Sequence, residues 1–169
     1  SKENVIHQQY LFRCLPTPMN ADGSCNVDII EKELEHIDLI ADNHETIKTI
    51  VIKSTIPPGT TEKWNRKYEA LDIVFNPEFL TEANAVSDYE NQDRIIIGTN
   101  EGYAATEVVD VFAKVFPNTL IKVTNSKEAE MCKYIINTFL SVKVSFANEI
   151  YDICESNDID YNTAKDLAP

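Results

Sequence analysis

Short β-branched apolar runs, separated by stretches of helical period, constrain this chain more than any other feature. Thr49–Lys53 reads TIVIK and Arg94–Gly98 reads RIIIG, near-continuous apolar runs of the kind found in strands covered on both faces. Tyr10–Leu15 (YLFRCL), Asp72–Phe75 and Leu120–Val123 supply further short strands. Between them, Val27, Ile30, Leu34, Ile37 and Ile40 recur at steps of three and four, which predicts a helix from Val27 to Ala41 with Asn26 as its cap. A short helix is expected over Thr61–Tyr68. Another, over Glu101–Phe116, follows from Ala105, Val108, Val109 and Phe112. The alternation predicts an α/β fold with a doubly wound parallel sheet, whose ligands sit outside the carboxyl ends of the strands. The polar loops PTPMN, STIPPG and NPEFL each follow a strand directly. All three should therefore gather on one edge.

From Asn125 to Cys154 the pattern changes to one long helix. Cys132, Ile135, Phe139, Val142, Phe146, Ile150 and Ile153 form one apolar strip, and Leu140, Val144, Ala147, Tyr151 and Cys154 a second. A helix apolar on two sides needs two neighbours. Lys133, Asn137, Ser141 and Asn148 line up along one side at steps of four or seven. Their residue types leave two readings open. Lys133 either runs its stem out to water while Asn137 bonds a neighbour, or an ammonium and a carboxamide serve a common site. Asn125 and Glu128 have the spacing of a capping box, which sets Lys133 and Asn137 in the first turns, near the loop-bearing edge.

A net charge of −13 makes a nucleic-acid backbone or an anionic membrane an unsuitable partner. An anionic small ligand needs only a local cluster of basic groups or amides. The four cysteines, Cys14, Cys25, Cys132 and Cys154, contain no C-x-x-C pair, and are expected to be buried free thiols in a reducing cytoplasm. His7, His36 and His44 share no ligand spacing, so no metal site is expected. No apolar run reaches the length of a membrane span, and no signal-peptide pattern opens the chain. The first residue is Ser1 rather than Met, which points to a processed or trimmed piece.

Five ordered segments, PTPMNADGS at Pro16, KSTIPPGTT at Lys53, NPEFLTEANAVSD at Asn76, DRIIIG at Asp93 and AEMCKYIINTFLSVKVSFANEI at Ala129, resemble the UDP-glucose/GDP-mannose dehydrogenase family. Those enzymes oxidise the C6 alcohol of a nucleotide sugar to a carboxylate with NAD. The resemblance implies that Lys133 stabilises oxyanion charge at C6, that Asn137 holds the same oxygen or a water, and that Glu78 assists proton transfer or orients the hydrolytic water. It further implies that Phe79 and Leu80 hold the sugar nucleotide through main chain, that Thr17 and Thr55 line the dinucleotide path, and that Glu82 stands near the nicotinamide. Arg94 is carried as a structural tie between loop and sheet.

Departures are equally specific. The glycines are Gly23, Gly59, Gly98 and Gly102, so no G-x-G-x-x-G loop is present. In the family that loop precedes the segment matched here, and the nucleophilic cysteine, with the uridine-binding domain, follows it; neither Cys132 nor Cys154 matches its motif. Ala83 stands where glycine is usual. The expected organisation is residues 1–123 as the later part of an NAD-binding domain and 124–169 as a central helix and dimerisation region. The expected function is that of a nucleotide-sugar 6-dehydrogenase, with UDP-glucose as substrate, NAD as cofactor, a homodimer built through the long helix and a cytoplasmic setting, the chain alone being inactive. Two alternatives stand beside it: a non-catalytic dimerisation module, and a hydroxyacid or hydroxyacyl dehydrogenase. The second leaves N-P-E-F-L-T-E unexplained.

Overall fold

The computed structural model describes residues 7–100 and 103–168, without the side chains of Glu82 and Tyr103. The first two residues of the helix expected from Glu101 lie outside that set. The chain divides into two compact units, Ser1–Lys133 and Tyr134–Pro169.

In the first unit, β1 (Tyr10–Arg13), β2 (Lys48–Ile52), β3 (Leu71–Phe75), β4 (Arg94–Gly98) and β5 (Leu120–Thr124) form one sheet in that spatial order. Strands β1, β2 and β3 run parallel, with Ile50 between Leu11 and Ile73. Strands β4 and β5 are also parallel to each other, with Ile97 opposite Val123. The two ribbons meet antiparallel, through the single pair Phe75 and Gly98. The sheet is therefore mostly parallel rather than wholly so. The β3–β4 connection carries a 3-10 turn (Glu82–Asn84) and a helix α3 (Ala85–Glu90) with no buried residue, in place of a helix packed across the sheet.

Helices cover both faces, as the unbroken apolar strands require. Ile50 and Ile52 turn toward Ile30, Leu34 and Ile37 of α1 (Asp28–Asn43) and Trp64 of α2 (Thr60–Lys67). Val51, between them, turns toward Ala104, Val108 and Phe112 of α4 (Tyr103–Val115). Helix α1 begins one residue later than Asn26 predicts a cap, because the Asn26 carboxamide oxygen accepts the Asp28 N–H at 2.9 Å.

Helix α5 (Ser126–Ser156) starts in the first unit and runs through the division. The Asn125 side chain accepts the Glu128 N–H at 2.9 Å, as a cap should, but the Glu128 carboxylate takes the Thr124 hydroxyl instead of closing the box. Gly98 lies under this first turn. A Cβ there would stand 2.5 Å from the Ala129 Cβ and 3.0 Å from the Ser126 Cα.

The second unit holds the rest of α5 and α6 (Tyr161–Leu167), which Asp160 caps by accepting the Thr163 N–H at 2.7 Å. Tyr151 and Tyr161 meet edge to face at 5.6 Å between centroids. The expected burial of an apolar face does not occur within this chain: Ile135, Phe139, Val142 and Phe146 are 60, 61, 59 and 67% exposed, and Leu140, Val144 and Tyr151 of the second strip are exposed too. Along the two strips burial is confined to Cys154, which is buried, and to Cys132, Ala147 and Ile150, which are half-buried. The thiols are free, but only Cys154 is buried; Cys14 is exposed in the loop after β1, and Cys25 and Cys132 are half-buried. Among the described residues no helix is long and apolar enough to cross a membrane, and no cluster of potential metal ligands forms.

Candidate active site

The loops after β1, β2 and β3 come together, and side chains join them. The Ser54 hydroxyl donates to the Leu15 carbonyl at 2.6 Å, and the Thr17 hydroxyl donates to the Thr55 carbonyl at 2.9 Å. Asn76, immediately after β3, is buried and bonds through its N–H to Ile52 O (2.8 Å), through Nδ2 to Ile96 O (2.8 Å) and through Oδ1 to the Lys53 ammonium (2.9 Å). Lys53 Nζ also lies 3.6 Å from a Glu78 carboxylate oxygen and 5.9 Å from the centre of the Tyr89 ring. A cavity of about 320 Å³ opens here, lined by Cys14, Leu15, Pro16, Lys53, Ser54 and Glu78.

Lys133 reaches the same loop from α5. Its ammonium donates to the main-chain carbonyl of Glu78 and lies 5.5 Å from the Phe79 ring centre. Burial pushes the Lys133 pKa below the ordinary lysine value; the Glu78 charge opposes this and the Lys53 charge adds to it. Lys53 is likewise pushed down by burial, against the pull of Glu78.

A lysine whose folded pKa lies below its unfolded one contributes stability that is present above the unfolded value, near 10.5, and lost as pH falls through the folded value. Removing the Glu78 charge should widen that window. In Glu78→Gln both lysine midpoints move further down, read as ε-carbon resonances across an alkaline titration. Unmoved midpoints would show that Glu78 does not act on either ammonium.

The remaining expected residues divide. Phe79 and Leu80 are half-buried beside Glu78, and Thr81 is tied to Asp88, which accepts from both its hydroxyl (2.6 Å) and its N–H (2.8 Å). The backbone of Glu82 opens the 3-10 turn, but its side chain lies outside the described set. Asn137 belongs to the second unit, is exposed, and accepts the Ser141 hydroxyl through its main-chain carbonyl at 3.0 Å. Arg94 does not tie loop to sheet: its guanidinium forks onto the adjacent Asp93 carboxylate at 3.1 Å, both side chains being largely solvated.

Two residues escaped the sequence reading. Lys53 follows the last residue of buried β2, where a basic residue passes for a strand terminus. Its signal was the polar K-S-T immediately after a fully buried strand. Glu130 is fully buried, and its carboxylate accepts the Gly59 N–H and, at 2.8 Å, the Thr61 N–H, at the start of α2. Desolvation raises its pKa against those bonds. Standing one turn before Lys133, it fastens the start of α5 to the loop that carries Thr55.

The NAD binding domain model of the UDP-glucose/GDP-mannose dehydrogenase family matches residues 1–116, and that family's central domain model matches residues 127–168. The chain belongs to the UDP-glucose/GDP-mannose dehydrogenase family. It is 33% identical, over 92% of its length, to the UDP-glucose 6-dehydrogenase TuaD of Bacillus subtilis, of which it spans 34%. Its fold matches the UDP-glucose dehydrogenase of Pyrobaculum islandicum with a TM-score of 0.86 and 31% identity, covering 96% of this chain and 39% of that one. The GDP-mannose dehydrogenase of Pseudomonas aeruginosa matches with a TM-score of 0.84 and 26% identity, covering 98% and 40%. The chain thus carries the NAD-binding and central portions of a nucleotide-sugar dehydrogenase.

Proposed function

We propose that this chain is the part of a UDP-glucose 6-dehydrogenase that presents the C6 oxyanion site and the later half of the cofactor groove, and that it does not turn over alone. The observation that carries the reading is the convergence of Lys133, Glu78 and Lys53 where the strand-end loops meet. Lys133 stabilises the charge that develops on the C6 oxygen, and its lowered pKa keeps its proton transferable. Glu78 serves proton transfer or orients water, and Phe79 and Leu80 seat the sugar nucleotide through main chain; Asn137 is assigned to the C6 oxygen by the motif alone. Glu82 is assigned to the nicotinamide side by the motif alone.

NAD, when bound, would supply the hydride acceptor, a separate molecule for each of the two successive oxidations. The residues present fit part of it. Thr17 and Thr55 bring bonded hydroxyl-bearing loops to the carboxyl ends of parallel strands, the usual edge for a dinucleotide, and the 169 residues themselves include no G-x-G-x-x-G. The four free thiols favour a reducing, cytoplasmic setting.

The test is a chimera in which residues 10–156 replace the matching stretch of TuaD. It should form NADH from UDP-glucose, and Lys133→Ala within it should cut the rate by roughly 100-fold or more. A folded chimera without NADH formation, or one indifferent to Lys133→Ala, overturns the assignment. NADH formation by the 169-residue chain itself would overturn the view that it is incomplete.

The exposed strips of α5 favour an additional role in self-association through that helix. A double change, Phe139→Glu with Phe146→Glu, should turn a dimer into a monomer on light scattering and leave the spectrum of the sheet unit unchanged. A wild-type chain that stays monomeric at high concentration would remove this role.

A further inference from the structure

We propose that Lys53 is a positioning residue of this site: it takes the carboxylate end of Glu78 while Lys133 takes the carbonyl end, keeping acid and ammonium as separate groups instead of one collapsed ion pair. The proposal rests on the reading of Lys133 and Glu78 as the working groups.

The asymmetry of burial fixes which partner holds the other. The Lys53 side chain is 10% exposed, against 37% for Glu78. Lys53 is further fixed by Asn76, which is 2% exposed and bonded in turn to Ile96 O across the join between β3 and β4. The ammonium is thus anchored in the sheet and the acid is on a loop. Among the described residues, the cation within 4 Å of the Glu78 carboxylate is Lys53, at 3.6 Å.

Lys133 already binds the carbonyl of the same residue, so the Glu78 carboxylate needs only side-chain rotations to approach it. Opposite charges in a half-buried setting attract strongly enough to drive that swing. An ammonium engaged in such a pair is poorly placed to receive a substrate oxyanion. The groups facing Lys53 are Asn76, Glu78, Cys14 and Tyr89, and those facing Lys133 are Glu78, Phe79 and, by its charge, Lys53. Glu78 is the acid shared by both sets.

The experiment follows the ε-carbon resonances of Lys53 and Lys133 in the 169-residue chain, assigned with Lys53→Arg and Lys133→Arg. The Lys133 titration midpoint is compared with and without Glu78→Gln, first with Lys53 present and then in Lys53→Met. With Lys53 present, Glu78→Gln should lower the Lys133 midpoint by a small step; in Lys53→Met the step should be larger, and Lys53→Arg should restore the small one. Equal steps in both backgrounds overturn the proposal, because a lysine that merely stabilises the loop would leave the Glu78 to Lys133 coupling unchanged. Should Lys53→Met fail to fold, the same comparison is made in Lys53→Gln, where the larger step is again expected and an unchanged step overturns the proposal. Neither substrate nor cofactor enters the measurement, so an inactive chimera and a failed coupling are distinguishable results.

Discussion

Replacing Glu130 with alanine should lower the stability of the sheet unit by about 3–5 kcal/mol. The carboxylate is fully buried and accepts two main-chain N–H groups, from Gly59 and Thr61, that the start of α2 cannot satisfy internally. Alanine strands both donors and leaves a void where the side chain was. Each loss is costly in a site that water does not reach. Glu130→Gln keeps one acceptor oxygen and turns an NH₂ toward the other donor, so its cost should be roughly half as large.

The measurement is the denaturant midpoint, with an unchanged slope as the sign of an intact two-state transition. pH gives a second handle. Desolvation raises the Glu130 pKa, and an acid with a raised folded pKa contributes stability that is present below its unfolded value and lost as pH rises through the folded one. The gap between wild type and Glu130→Ala should therefore narrow with rising pH across that interval. A gap under about 1 kcal/mol, the size of an ordinary surface change, would show that the carboxylate does not carry the α2 terminus.

Gly98→Val should be comparably damaging, for a reason of space rather than charge. Gly98 is buried at the end of β4, and even a single added carbon would lie 2.5 Å from the Ala129 Cβ and 3.0 Å from the Ser126 Cα. The second of these is helix backbone and cannot rotate away. Overpacking of this kind costs about 1–3 kcal/mol for small additions, and valine adds three carbons against the first turn of α5. Gly98→Ala should cost less, and pairing it with Ala129→Gly should recover much of the loss, a non-additivity that a double-mutant cycle reads directly. Additive losses would mean that the two residues do not meet.

The strands were legible because TIVIK and RIIIG allow little else, and the loops between them because Pro, Gly and Asn punctuate them. Strand direction was not legible. Nothing in RIIIG says which way it runs, and β4 opposes β3 after a connection whose helix buries no residue. Helix α3 went unread because six residues, Ala85–Glu90, give a periodicity too short to recognise.

Within the site, Lys133 could be picked out because its segment resembles a known motif. Glu130, only one turn away, could not. Between Glu128 and Lys133 it reads as one more solvated acid, and only the amides brought to it by α2 make it a buried anchor. Lys53 was hidden for a similar reason, since its partner Asn76 is a neighbour in space and distant in sequence. Long α5 was foreseen as a helix with two apolar sides, yet the periodicity that gives those sides does not say what covers them.

Asn76 has a consequence of its own. One carboxamide grips the Lys53 ammonium with its oxygen and the Ile96 carbonyl with its nitrogen, at the seam where only Phe75 and Gly98 are paired. Any rocking of the β4–β5 ribbon about that seam must therefore pull on the lysine as well. The protein has in effect geared the pitch of its outer strands to the placement of a single positive charge.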